Sequence, residues 1–573
     1  MFCTFAPDLA QIIQIMQKFR FALYLLALLS GGTVSAREAL VKDSGMVVSA
    51  HPAASQAGVN ILRRGGNAAD AAVAVEFALS VVYPVAGNIG GGGFLIYRSA
   101  GGETAALDYR ETAPAAAFRD MYLNGQGNVI DGKSLYGVTA SGIPGTVAGM
   151  AEAHRKYGTL SWQELLEPAV RLAEEGFPLT LQQGNSLNEE RDWFIRHNPA
   201  GCAFVKDSPW QEGDILRQPE LAATLRLIQQ NGRDGFYKGE TARRIVAQMA
   251  SGGGIITSED LENYKAVWRK PVEGTYREYG VISMPPPSSG GIALFSLLKA
   301  TEKYPLSQWG FQQDSTIQLM VEAQRRVYAD RAEYLGDPDF VAVPQRQLLD
   351  TGYISRRMAD ISFERATPSI AVRLLSLVPE SEETTHYVII DKDRNAVSAT
   401  TTLNGTYGSK TVVAEAGFLL NNEMDDFSAK PGTPNLYGLT GGEANAIAPR
   451  KRMLSSMTPT ILTKNGRLFM AVGSPGGSTI ITSVFQTILN VTLFGMDAQT
   501  AVSLPRFHHQ WLPDTIQAED GAIPNEVRTR LESKGYPITP RSPYGRVEAI
   551  VVRSDNTLEG GADPRGDDKA TGY

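Results

Sequence analysis

The sequence predicts an α+β fold in which apolar helices pack against strand hairpins. Three observations predict it. Residues 68–82 are rich in Ala and Val and nearly apolar throughout, which marks a buried helix. Two pairs of β-rich runs, 94–98 with 104–110 and 385–390 with 396–403, are joined by short turn-forming connections and read as hairpins. Residues 479–494 form an apolar run of helical length after a Gly-Ser-Pro-Gly-Gly-Ser turn.

The elements follow in chain order. Lys18 and Arg20 precede the apolar run 21–29, and Val34-Ser35-Ala36 follows, the pattern of an export signal cut after Ala36. The run is too short for a span of ~20 residues, so no stable membrane association is expected after the cut, and export to the periplasm is. Met16 is a second candidate start. Residues 53–62 read as a short helix stopped by Gly65-Gly66-Asn67. The glycine-rich stretch 87–93 lacks the Gly-Lys-Ser/Thr ending of a phosphate loop and leads into a strand, so it predicts a bend or close backbone packing. Residues 150–270 show helical periodicity without a readable constellation. Residues 284–291 (M-P-P-P-S-S-G-G) form a rigid turn into a helix, a further amphipathic helix spans 318–335, and 365–383 reads as an exposed polar tail.

The chain has 573 residues, 43% hydrophobic and 20% charged, with a formal charge of −7, an ordinary soluble composition. No basic patch carries interleaved aromatics, which excludes nucleic acid as a partner. Cys3 would leave with the signal, and the remaining Cys202 cannot form an internal disulfide; it reads as a structural thiol. There is no G-x-S-x-G elbow and no H-E-x-x-H, and the histidines are scattered, so neither a metal nor a cofactor is expected. His508 and His509 are adjacent and on a strand would point to opposite faces.

The hairpin at 385–403 carries the most chemistry. Its five-residue loop, 391–395, is centred on Asp393, which places Thr384 opposite Thr402, where side chains lie ~5 Å apart. A threonine nucleophile needs a base, and a cut before Thr384 would supply its own α-amine, whose pKa of ~7.7–8.0 suits that role.

The runs T-T-H-Y at 384–387 and D-K-D-R-N-A-V at 391–397 resemble the processing site of gamma-glutamyltransferases. N-N-E-M-D-D-F-S-A-K-P-G at 421–432, L-S-S-M-T-P-T at 454–460 and G-S-P-G-G-S at 473–478 extend the likeness. So do A-H-P-A-A-S at 50–55, G-G-N-A-A-D-A at 65–71, D-Y-R-E-T-A-P at 108–114, S-G-I-P-G at 141–145 and P-P-P-S-S-G-G at 285–291. The resemblance covers almost all of the mature chain.

It implies a four-layer αββα sandwich of the N-terminal-nucleophile hydrolase type. It implies a precursor that cuts itself between Glu383 and Thr384 into a large subunit, 37–383, and a small subunit, 384–573, which stay together. Glutathione and other γ-glutamyl compounds become the expected substrates, with water, amino acids or dipeptides as acceptors. Thr384 matches the nucleophile and Thr402 its threonine partner. Gly476 and Gly477 match the oxyanion-hole pair. Arg110, Ser455 and Ser456 match the group that holds the glutamyl α-carboxylate, and Asn404, Glu423 and Asp426 the group that receives the α-ammonium. Tyr437, in the loop 431–449, matches a lid. Glu383 departs from the glutamine of some relatives, and a carboxylate there is expected to tune self-cleavage. Two other functions compete: a cephalosporin (glutaryl) acylase of the same fold, and an inactive periplasmic binder of γ-glutamyl compounds.

Overall fold

Asn67 starts the first buried helix for a visible reason. Its side chain accepts from the N–H groups of Ala69 and Asp70, and Asp70 reaches back to the Asn67 N–H, a reciprocal cap. The helix Ala68–Val82 has the predicted bounds and is buried along its whole length. It packs on Pro52–Arg63 and on the strands Thr385–Ile390 and Ala396–Thr402. Each fully buried Val, Leu or Phe on such a face contributes roughly 1.5–3 kcal/mol. The computed structural model describes residues 38–372, 384–430 and 442–573, so the export signal, the junction before Thr384 and Tyr437 lie outside the described residues.

Two seven-stranded antiparallel sheets form the centre. One runs in the order Lys569–Gly572, Met46–Ser49, Thr385–Ile390, Ala396–Thr402, Gly92–Arg98, Thr104–Asp108, Val267–Arg269. The other runs Leu40–Lys42, Leu558–Ala562, Glu548–Val552, Arg467–Gly473, Thr460–Lys464, Tyr279–Ser283, Val272–Tyr276. Val388, Ile390 and Ala396 of the first sheet share a core with Ile461, Met470 and Val472 of the second and with Leu294 and Phe485 of the helices Gly290–Glu302 and Thr479–Thr492. Tyr387, Ile389 and Val397, on the other face, share a separate core with the helices Ala68–Val82 and Trp162–Glu175. The layers are therefore helix, sheet, sheet, helix, the αββα sandwich the resemblance implied. Among the described residues no helix is long and apolar enough to cross a membrane.

The hairpin register matches the arithmetic of its loop: Thr385 pairs with Thr401 and His386 with Thr400. Four expectations are corrected. The strand expected over 104–110 ends at Asp108, because Asp108 Oδ1 accepts the Arg110 N–H and turns the chain out of the sheet. The helix expected over 318–335 begins earlier, at Asp314, and ends at Tyr334. The apolar run to Phe494 leaves helix at Thr492. The stretch from 365 is not wholly an exposed tail: Ser369–Val372 is a helical turn whose Ser369 N–H donates to Asp514 and whose hydroxyl accepts from buried Arg325. His508 and His509 do face apart, one to Thr482 and the other to Asp514.

Candidate active site

Thr384 is buried at the entry to its strand and lines two cavities. Its cross-strand neighbourhood is held from behind. A Cβ on Gly91 would stand 2.1 Å from the Thr402 carbonyl oxygen, and Asn88 Nδ2 donates to that oxygen at 2.9 Å. The glycine run thus exists for close backbone packing, as expected. Thr402 Oγ1 accepts the Asn404 N–H at 2.7 Å. Asn404 adopts a left-handed φ of 77°, which Asn tolerates better than most residues, and its amide donates to Asn422 O.

The first cavity is lined mostly by polar and charged side chains. Arg110 lies on its floor, 1% exposed. Its Nη1 is 2.6 Å from Glu423 Oε2, and its Nη2 pairs with Asp426. The Met453 and Leu454 carbonyls also accept from this guanidinium. Burial disfavours its charge, but Glu423, Asp426 and Glu111 outweigh that and hold its pKa above the usual arginine value. The same burial raises Glu423 well above the usual carboxylate range, raises Asp426, and pushes Glu111 to about 8, with Arg110 opposing each shift. The acidic run 423–426 is therefore a buried helical turn, not a solvated one.

Ser455 and Ser456 also line this cavity. The proline-rich turn at 285–291 holds them: Ser455 N donates to Pro287 O, and Ser455 O accepts from the N–H and hydroxyl of Ser289. Ser456 Oγ accepts from Arg331 Nη2 at 2.9 Å. Gly477 completes the rim. Gly476 and Gly477 have φ of 122° and 51°, backbone that side chains rarely allow, and Thr479 N and Oγ1 both bond to Gly476 O as the helix Thr479–Thr492 begins. A helix start beside Thr384 favours developing negative charge.

The structure thus brings every described candidate residue to one cavity except Gly476, which lines the second cavity together with Thr384. Sequence reasoning missed Arg331 and Asn445. Asn445 bridges Asp426 O and the Leu454 N–H. No local signal marks Arg331, one of several arginines on one long helix, apart from its burial. The second cavity was also missed; its wall includes Leu179, Gln183, Ser186 and Leu187 from the stretch that showed only helical periodicity. Cys202 is half-buried, and burial raises its thiol pKa, which suits a structural role. Among the described residues no cluster of His, Cys, Asp and Glu could hold a metal.

An αββα sandwich with a threonine at the head of a central strand, beside a charged cavity, is the fold of the N-terminal-nucleophile hydrolases. Residues 54–573 match the gamma-glutamyltranspeptidase family model, and the chain belongs to that family. It is 48% identical over 533 residues to the glutathione hydrolase proenzyme of Escherichia coli (strain K12), covering 92% of each chain. It resembles a chain of Helicobacter pylori gamma-glutamyltranspeptidase (45% identity, TM-score 0.57, 58% of this chain and 96% of that one). It also resembles a cephalosporin acylase from Bacillus halodurans (28% identity, TM-score 0.83, 95% and 98%).

Proposed function

We propose that this chain is a gamma-glutamyltransferase with glutathione hydrolase activity, working through a γ-glutamyl ester of Thr384. The observation that carries this is the first cavity. It pairs a buried arginine with Glu423 and Asp426 a short reach from a threonine hydroxyl. A free α-amino acid head is a zwitterion of the same make-up. Its carboxylate suits the arginine fork, with Ser455 and Ser456 as donors, and its ammonium suits Asn404, Glu423 and Asp426. A glutaryl group lacks the ammonium and leaves those acceptors without a ligand partner, which favours a γ-glutamyl over a glutaryl substrate.

The steps follow from the groups present. Thr384 Oγ1 first attacks the carbonyl of residue 383, its proton passes to the nitrogen and the 383–384 C–N bond breaks, which frees the α-amine; water then hydrolyses the resulting ester and restores the hydroxyl. That amine then takes the proton of Oγ1 as the oxygen attacks the γ-carbonyl of the substrate. The N–H groups of Gly476 and Gly477 receive the oxyanion, and Thr402 steadies the nucleophile. The leaving amine departs with the proton, and water or an acceptor amine then attacks the ester. The cut divides the chain into residues 37–383 and 384–573, and export to the periplasm precedes or accompanies it.

The test is a denaturing gel and N-terminal sequencing of the purified protein beside a γ-glutamyl-anilide assay. The expected result is two chains, the smaller beginning Thr-Thr-His-Tyr, and release of the aniline. One uncut, inactive chain would instead make it a binding protein.

The second cavity is where the leaving amine and the acceptor belong, because it opens on Thr384 from the side away from Arg110. Tyr407, whose hydroxyl bonds Ser186 Oγ, forms part of its wall. Ser186→Trp should raise the KM of a dipeptide acceptor about tenfold, as expected for filling a pocket, with hydrolysis little changed. An unchanged acceptor KM would place the acceptor elsewhere.

A further inference from the structure

The helix Ala68–Val82 carries three polar side chains, and two are accounted for. Asp70 caps the helix and accepts from Thr159, and Ser80 donates to the Phe77 carbonyl. The third, Glu76, is fully buried among Ala and Val and faces Thr401, Tyr387 and Tyr109. Neither of its oxygens makes a hydrogen bond of ordinary geometry with another described group, nor do Tyr387 OH, Tyr109 OH or Thr385 Oγ1. A carboxyl set in an apolar helix without a cation partner is costly, and such groups concentrate where function needs them.

Its place is informative. Strand alternation sends Thr385, Tyr387 and Thr401 to the helix side, and Thr384, His386, Thr400 and Thr402 to the side of the second sheet. His386 and Thr400 bond to each other there, against Gly473. Glu76 therefore sits directly behind the two threonines of the site. Thr401 Oγ1 already donates to Gly92 O at 3.0 Å and accepts from Asn88 Nδ2. It has only a lone pair left to offer, so a carboxyl that bonds to it must carry the proton.

We propose that Glu76 is a positioning residue for Thr384 and Thr402, acting through Thr401 and Tyr387 on the opposite face of their strands. The proposal rests on the reading of Thr384 as nucleophile. Burial raises the Glu76 carboxyl to about 7, so it donates its proton below that pH and becomes an unpaired buried charge above it. The titratable groups facing it are the Tyr387 and Tyr109 phenols, which burial keeps neutral far above their usual range. Glu111, raised to about 8 by burial, stands beyond Tyr109 with Tyr264.

The experiment measures kcat and KM with a γ-glutamyl anilide from about pH 5.5 to 9.5, where these groups titrate, for mature wild type, Glu76→Gln and Glu76→Ala. Wild type should show a loss of kcat, relative to Glu76→Gln, as pH rises through about 7. Glu76→Gln keeps a donor and should match wild type within about twofold at the acid end, while Glu76→Ala should lower kcat about tenfold with KM little moved. Melting curves supply a second reading. Because the folded carboxyl is held above its unfolded value, its contribution is present at low pH and lost as pH rises towards about 7, so Glu76→Gln should melt higher than wild type above that pH. Superposed pH profiles for wild type and Glu76→Gln would overturn the proposal, and this comparison decides even if Glu76→Ala fails to mature. A wild type that turns over no γ-glutamyl substrate would sink the nucleophile reading and this proposal with it. Turnover with superposed profiles sinks the proposal alone.

Discussion

Thr384→Ala leaves a chain of full mature length that releases no aniline from a γ-glutamyl anilide. Both outcomes have one cause. Without Oγ1 nothing attacks the preceding carbonyl, so no cut frees an α-amine, and nothing forms the acyl ester afterwards. Fold stability should change little, because the residue heads its strand outside the hairpin ladder, which begins at Thr385. A gel, an activity assay and a melting curve on the same sample separate these effects. Cleavage at the same bond in the mutant would show that another group cuts the precursor. Thr384→Ser should keep both functions, because serine retains the hydroxyl and the α-amine. Its activity, like that of the parent, should rise with pH through ~7.7–8.0 as that amine loses its proton.

Arg110→Ala should lower kcat/KM for the γ-glutamyl anilide about a thousandfold, ~4 kcal/mol, within the range for truncating one member of a buried charge pair. The guanidinium is the cation among Glu423, Asp426 and Glu111, and its removal leaves three buried carboxyls without it. Those carboxyls, already raised by burial, would then shift further up and take protons, and the cavity would no longer attract a carboxylate. Arg110→Lys keeps the charge but not the fork, and a loss of about a hundredfold is expected. A 4-aminobutyryl anilide, which keeps the ammonium but lacks the α-carboxylate, serves as control: the mutant should lose its preference for γ-glutamyl over 4-aminobutyryl. Equal losses on both substrates would mean that Arg110 only holds the cavity together. Breaking the cluster should also cost stability, roughly 3–5 kcal/mol, so maturation has to be followed by gel alongside activity.

Much of this was legible in the chain. The bounds of the helix Ala68–Val82 follow from its apolar composition, and the register of the hairpin from the length of its loop. The need for glycine at Gly476 and Gly477 was suggested by sequence and explained by their φ angles. The early end of the strand at Asp108 was not legible. Nothing in D-Y-R-E shows that the Asp108 carboxylate will accept the Arg110 N–H, or that Arg269 and Arg452 will hold it there.

The sequence by itself determined the helices, hairpins and tight turns, because their causes act over a few residues: periodicity, caps and turn chemistry. Through the motifs it shares with a family, it also determined which residues to examine. Only the tertiary structure decided how they combine. It set Asp426 against Arg110 across 316 residues of chain, placed Arg331 on Ser456, opened a second cavity at Thr384, and put Glu76 behind the nucleophile strand. Side chains far apart in sequence meet only after two sheets and two helix layers have packed, and the burial that shifts their charges arises with that packing.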